Sequence, residues 1–566
     1  MTSSLTSPFL NSDNQEHMEV SVQQQSSRGR WRSAIFIIGV EVAERFAFYG
    51  MSGNLITYLT NVLHQSTATA AKNVNIWTGV STLLPLLGAF IADTYLGRFK
   101  TILVASLIYV LDCKSQGLVM LVISVSVVPL RFRYVTFYFS LYMVAVGEGG
   151  HKPCVQTFGA DQFDQDKPED KKAKSSFFNW WYCGICGAAA AAMFIVIYVQ
   201  DNVGWALGFG IPAAAMVLAL VLFVLGRRLY RHHVLSGSPL TRVAQVFVAA
   251  CRKRRLTVSQ DGHGECWDGE GMGVQPKGRT LTRTKQFKFL DKAALIDDLD
   301  ASSTTINNWR LCSINQVEEA KILFRLIPIW LSCSVYAIVF AQMGTFFTKQ
   351  GSTVVTKIGS HFHIPPSSLQ VFTGIVVVIV VPIYDRILVP VTRNITGLPS
   401  GITMLQRIGV GMFFSTVTMI VAALVEARRI SIAREHGLLD EPKTTVPMSV
   451  WWLLPQYVIA GVSDVFAIVG LQELFYDQMP EEMRSMGAAA YLSVLGVGSL
   501  LSSVVISIVQ LISTRCGESW LGDNLNRAHL DYYYWVLAGL NTLALCVYVG
   551  VARCFVYKKI DGLAPT

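Results

Sequence analysis

Glu41, Glu44 and Arg45 fall within a single turn of an otherwise apolar stretch. On an α-helix, residues three and four apart share a face. The two carboxylates and the guanidinium must therefore be neighbours. Two adjacent carboxylates taken out of water cannot both ionise cheaply, so one of them tends to hold a proton. A nearby Arg opposes that tendency and frees a carboxylate when it moves away. Such a trio can take up a proton and hand it on. The plainer alternative, a static ion pair locking two helices, does not require two acids in one turn.

A second constellation lies in Gly147-Glu148-Gly149-Gly150-His151-Lys152-Pro153. Lys152 falls inside an apolar stretch, and Glu148 is one turn before it. Lys152 can pair with Glu148 or reach the Glu41–Arg45 turn. Pro153 and the glycines weaken the helix there, as in segments that line cavities. His151 titrates near neutral pH when unperturbed; the commoner role of such a His is packing. Further along, Asp464 and Glu473 interrupt another apolar stretch. An acid at Glu473 facing Lys152 would make a charge pair across a cavity. Otherwise Glu473 is solvated near a helix end.

These residues stand out because of what surrounds them. The chain has 566 residues, 52% hydrophobic and only 15% charged, against about 25% charged in a soluble domain. Disorder is excluded by 11% aromatic residues, and a disulfide framework by 11 irregularly spaced cysteines. Twelve stretches reach the roughly 20 apolar residues that cross a bilayer as a helix. They lie near 34–60, 75–95, 101–125, 134–158, 177–199 and 205–229, then near 318–347, 368–390, 400–427, 447–475, 485–512 and 534–557. The expected organisation is a cytoplasmic tail over 1–33, a six-helix half over 34–229, a basic linker over 230–317, a second half over 318–557 and a tail over 558–566. The first 33 residues lack the basic start, apolar core and cleavage site of a signal peptide.

The net charge of +9 collects in loops, including Arg252-Lys253-Arg254-Arg255. A solvated linker attracted to anionic lipid accounts for that run better than a nucleic-acid partner. Lys/Arg counting outside the linker, about fifteen against about eleven, places both termini in the cytoplasm. Arg428, Arg429, Arg434 and Lys443 in the 9–10 loop run against that bias, though Glu426, Glu435, Asp440 and Glu441 accompany them.

Six spans, a linker and six more suggest two related halves. The 2–3 connection (Gly88 to Lys100) and the 8–9 connection (Pro382 to Pro390) support this, since both place an Asp and then an Arg at the end of the second span of a half: Asp93 and Arg98, Asp385 and Arg386. Gly88 and Gly97 allow close backbone approach and a tight turn. The 88–100 pattern resembles the conserved loop of the major facilitator superfamily. The resemblance implies an all-α membrane fold of twelve helices, with these four charges gating the cytoplasmic side.

Glu41 to Gly50 resembles the ExxER signature of proton-coupled oligopeptide transporters, and Phe158 to Asp164 resembles their second signature. Five further stretches resemble the plant nitrate/peptide branch: Phe177–Tyr182, Gln316–Lys321, Arg325–Trp330, Leu405–Gly409 and Asn524–Tyr532. The resemblance covers the chain outside the tail and linker. It implies inward movement of a proton with a solute by alternating access. Glu41, Glu44, Arg45 and Lys152 would couple the proton, and Arg45, Tyr49, Lys152, Phe340 and Glu473 would meet the substrate. Some nitrate-binding members carry a His in a Val-His-Ala-Gln context. Here the run is Val339-Phe340-Ala341-Gln342, and Phe340 cannot donate a hydrogen bond to an anion. Many relatives have Ile-Asn where this chain has Ile185-Cys186; Cys183 and Cys186 form a CxxC, read as packing.

A member of that family is regulated at the Thr matching Thr101, which follows Arg98-Phe99-Lys100 and suits a basophilic protein kinase; the alternative is a plain helix-start Thr. Asn394-Ile395-Thr396 fits the glycosylation pattern but falls in a cytoplasmic loop, so no glycan is expected. Ser7-Pro8-Phe9-Leu10 faintly resembles a vacuolar sorting signal, leaving plasma and vacuolar membranes both open. The expected function is a proton symporter for a small solute in a plant membrane, with nitrate or another small anion first, since Arg45, Lys152 and Arg407 supply cations. A small peptide or an organic metabolite follows, and a non-transporting sensor is the alternative of another class. Nothing points to an enzyme, a metal or a cofactor.

Overall fold

The computed structural model describes residues 29–110, 121–123, 125, 128–163, 168–231, 239–255, 267, 281, 283–297, 307–358, 362–397, 401–442, 444–479, 484–515 and 519–557. The readings at Ser7–Leu10 and Asp164, most of the 1–33 tail, much of the linker, the 558–566 tail and the side chain of Cys183 lie outside them.

The helices of the first half are α1 (Arg30–Ser52), α2 (Leu55–Asn61), α3 (Thr67–Ile91), α4 (Arg98–Val110), α5 (Leu130–Ala160), α6 (Pro168–Ala191), α7 (Ile197–Asn202) and α8 (Trp205–Leu225). The linker contributes α9 (Pro239–Arg252) and α10 (Lys288–Asp291). The second half holds α11 (Ile314–Phe340), α12 (Phe346–Gly351), α13 (Gln370–Ile383), α14 (Val389–Thr396), α15 (Met404–Glu435), α16 (Leu454–Gln478), α17 (Arg484–Arg515) and α18 (Leu530–Cys554). Among the described residues, nine helices are long and apolar enough to cross a membrane. α1 and α5, which hold the Glu41 and Glu148 clusters, and α4, described to Val110, pack among them. The protein is an integral membrane protein.

Local chemistry sets the helix ends. Ser313 with Gln316, and Thr403 with Gln406, form capping boxes that start α11 and α15. Two of the stretches that resemble the plant branch are therefore partly helix starts. The echo between the halves is structural as well: α3 continues into a π-turn at Ala92–Leu96, and α13 into one at Tyr384–Leu388, with Asp93 and Asp385 second in each. Gly97 closes the first at φ 77°, a conformation open to glycine. Gly88 lets α3 touch α5, since a Cβ there would lie 2.1 Å from the Gly149 carbonyl oxygen.

The linker docks on the second half. α9, α10 and the turn Lys292–Ala294 after it bury Val246, Ala249, Leu290 and Ala293 against Val317 and Ala320 of α11. Lys321 Nζ lies 2.5 Å from Asp291 and 2.8 Å from Glu318. Thr284 donates to Glu318 at 2.7 Å and accepts from Arg325. Lys253 is buried and donates to the Leu295 carbonyl at 2.5 Å. The linker is thus not wholly the solvated basic strap expected from its composition; one member of its Arg/Lys run holds the linker's own fold.

The end carrying Arg30, Arg98, Leu229 and Leu405 is called the linker face, and the opposite end the far face. The halves meet chiefly where α3 crosses α17. Asn75 donates to Ser502 at 3.0 Å, Ser503 to the Lys72 carbonyl at 3.1 Å, and the Thr67 amide to Asp523 at 2.7 Å. Nearby, Ser367 donates to Asn54 at 2.8 Å and Gln370 to the Gly53 carbonyl at 3.2 Å. All five bonds lie toward the far face and join the halves there. The far face also holds one of the basic residues that opposed the charge bias. Arg429 belongs to α15 rather than a loop. It is fully buried, forks onto Glu426 at 2.9 and 2.6 Å and donates to Asn526 at 2.7 Å.

Candidate proton and substrate site

α1 presents the signature as a fork. Arg45 Nε donates to Glu41 at 2.8 Å and lies 3.0 Å from Glu44. Both acids are buried, and three of their four oxygens have no hydrogen-bond partner. The i,i+3 and i,i+4 spacing produces this geometry directly, as expected.

α5 supplies the second layer. Lys152 pairs with Glu148 within its own helix, and its ammonium sits 4.1 Å from the centre of the Phe48 ring. A desolvated ammonium gains from an aromatic face, so Phe48 helps to hold the charge against α1. Tyr49 packs with Met193 and Ile197 and with Val371 of the second half, which places it at the junction of the halves. Phe340 is partly buried against the large core toward the far face. Beside it Gln342 donates to Ser502 at 3.1 Å, the same hydroxyl that Asn75 reaches, so the Val-Phe-Ala-Gln run contributes to the far-side seal.

Glu473 does not face Lys152. Its carboxylate, half exposed, accepts from Arg407 at 2.9 Å. Arg407 also donates to the Val465 carbonyl at 3.1 Å and lies 4.2 Å over the Tyr384 ring. The reason is register: Glu473 lies two turns beyond Asp464 on α16, toward the linker face. Asp464 is the buried acid of that helix and accepts from the Tyr336 hydroxyl at 2.6 Å.

The first half holds the counterpart of the Arg407–Glu473 pair. Arg98, at the start of α4, lies 3.5 Å from Asp93 and pairs with Asp161 at the end of α5. Arg407, near the start of α15, pairs with Glu473 near the end of α16. Each half therefore ties its third span to its fourth at the linker face. Asp385 and Arg386 are exposed and form no ion pair among the described residues. Their sequence position echoes Asp93 and Arg98, but Tyr384 and Arg407 occupy the contact. Asp161 is the partner the sequence reading missed; its place in the second signature was the available signal. Thr101 is buried and donates to the Gly97 carbonyl at 3.0 Å, closing the turn that carries Arg98.

Comparison with known proteins agrees with this architecture. The POT family sequence pattern matches residues 99–521. The chain belongs to the POT family. It is 54% identical to Protein NRT1/ PTR FAMILY 5.4 of Arabidopsis thaliana over 546 residues, 96% of this chain and 97% of that protein. It is 51% identical to Protein NRT1/ PTR FAMILY 5.10 of the same plant over 95% of each. Among solved structures, an auto-inhibited POT family peptide transporter covers 94% of this chain and 99% of its own at TM-score 0.67 and 21% identity. The POT family transporter PepTSo does so at TM-score 0.68 and 22% identity, over 93% of this chain and 98% of its own. This POT family chain is a membrane transporter and not an enzyme.

Proposed function

We propose that this transporter is a proton symporter that moves a small anion, nitrate first, by alternating access between its halves. The observation that carries the reading is the pairing of every cation in the α1–α5 cluster. Arg45 is held by Glu41 and Glu44, and Lys152 by Glu148. Three acids against two bases leave no free positive charge for an anion. Protonation of Glu41 or Glu44 loosens the fork and releases Arg45, so an anion is welcome only once a proton has arrived. That order is symport, and a protein that merely bound and reported a solute would not need it.

The closed far face and the α1–α5 cluster fit a state open toward the linker face. Both termini then lie in the cytoplasm, with 34–229 and 318–557 as the moving halves, 230–317 as the linker and 1–33 and 558–566 as tails. The Arg98–Asp161 and Arg407–Glu473 ties keep each half rigid as it rocks, and a kinase acting on Thr101 would loosen the first of them.

One observation favours a second reading. Asp464 is a buried acid in the second half with a Tyr hydroxyl as its hydrogen-bond donor, and it could receive the amino group of a peptide or an amino metabolite. Inward currents in oocytes at pH 5.5, with nitrate, a dipeptide and an organic-metabolite panel, separate the readings. Nitrate current abolished by Glu41→Gln or Glu44→Gln in protein that still reaches the membrane is the expected result. Full acid-stimulated uptake by both variants would sink the coupling role of the fork. Silence with every solute would favour the sensor.

A further inference from the structure

His151 is fully buried on α5, and among the described residues neither of its ring nitrogens has a hydrogen-bond partner. An imidazole stripped of water and left unpaired is costly unless its vacancy is used. One ring nitrogen, one Glu41 oxygen and one Glu44 oxygen lie within 4.8 Å of one another. The groups facing the ring are few. α1 offers Glu41, Glu44 and Arg45. α4 brings Tyr109 toward Glu44 and Arg45, buried and with no hydrogen-bond partner for its hydroxyl among the described residues. α5 itself carries Glu148 and Lys152, which form an ion pair. α3 approaches α5 through Leu84 and Gly88, and α17 brings Tyr491 toward Glu41 and Arg45.

We propose that His151 is a third proton-holding group of this site, exchanging its proton with Glu44. This deepens the symport reading and rests on it. The proton leaves the Glu44 carboxyl and joins the unprotonated ring nitrogen. A carboxylate and an imidazolium result, with no change in total charge. The imidazolium then lies beside both carboxylates and competes with Arg45 for them, so the guanidinium is released while the proton stays in the site. Two carboxylates and an imidazole are also a donor set for a divalent cation. Arg45, at 2.8 and 3.0 Å from the two acids, already fills the place of positive charge, and a proton needs no room.

The test is the pH profile of nitrate-evoked current in oocytes for wild type, His151→Gln and His151→Asn at matched surface expression. The expected result is that both variants lose the wild-type acid activation across pH 5–7, with current at pH 5.5 down about tenfold, the scale of a lost proton-transfer group. Glu44→Gln/His151→Gln should be no worse than Glu44→Gln alone, because groups acting as one unit are not additive. A wild-type pH profile in both variants, or losses that add in the double variant, would overturn the proposal. A packing role would lower current evenly at every pH and overturns it too. If wild type carries no nitrate current, the symport reading fails first, and the thermal melting of purified protein decides for His151. Wild-type and His151→Gln curves that diverge between pH 5 and 8 support a titrating imidazole, and parallel curves refute it.

Discussion

The crossing of α3 and α17 gives the sharpest test of alternating access. Gly496 lies where a Cβ would come within 2.8 Å of Thr82 Oγ1, 2.9 Å of Leu83 Cγ and 3.0 Å of the Gly79 carbonyl oxygen. Ordinary carbon contacts sit at about 3.5–4.0 Å, so Gly496→Ala must part the helices by roughly half an ångström or more. Overpacking by one methyl costs about 1–3 kcal/mol. The cost falls on the far-closed state alone if the other state opens this crossing. At about 1.4 kcal/mol per tenfold, the closed population should fall by roughly 5- to 150-fold relative to the open one. The readout is labelling of Asn75→Cys by an impermeant maleimide from the far side, in a background without other reactive thiols. Asn75 is buried and bonded to Ser502 while the crossing is closed. Gly39→Ala is the control, because a Cβ at Gly39 meets nothing within 4 Å. Labelling should rise with Gly496→Ala and not with Gly39→Ala. Equal labelling in both, in protein of unchanged melting temperature, would refute the idea that this crossing gates the far side.

The Arg407–Glu473 tie should tolerate exchange but not a single reversal: Arg407→Glu should stop uptake, and Arg407→Glu with Glu473→Arg should recover part of it. Arg429→Met leaves Glu426 buried without its partner, at a cost of about 3–5 kcal/mol; the check is a large drop in melting temperature and in surface yield. Lys349, outside the spans, has its pKa lowered to about 8 by burial, which the charge of Asp523 only partly offsets. The fold therefore disfavours its charged form, so wild-type stability should rise between about pH 8 and 10.5, and Lys349→Met should flatten that rise in thermal melts. Asp291→Ala strips a buried partner from Lys321 and should release the linker, read as faster proteolysis between α9 and α11 with the helical bundle intact.

The sequence made the α1 cluster legible because helical spacing alone decides which side chains meet. It made the apolar helices legible because apolar length is what a bilayer demands. Glu473 was left with two possible places, and Arg429 was put in a loop, for the opposite reason. Their positions depend on depth along a helix and on the partner helix, and neither leaves a periodic trace. Arg429 counted as a loop charge because the apolar run ends near it. In the structure α15 continues to Glu435, and the pair with Glu426 lets a charge stay buried. Likewise Gln316, Gln406 and Asn526 stood out only as parts of family-like stretches. Each proves to be a cap or a staple.

This distinction separates the two kinds of charge in the spans. Arg98–Asp161, Arg407–Glu473 and Arg429–Glu426 each join one acid to one base, with further partners, and they brace helix ends. The α1–α5 cluster differs. Glu41 and Glu44 must share one Arg between two carboxylates, and His151 has no hydrogen-bond partner among the described residues. A group of ionisable side chains with too few bonds to satisfy it gains from a further proton, whereas a satisfied pair loses by one. Incomplete pairing, rather than burial or charge alone, singles out this cluster as the place where a proton would bind and be released. Any substitution that completes the pairing there, such as Glu44→Gln beside an intact Glu41–Arg45 bond, should leave a sound fold that no longer responds to acid.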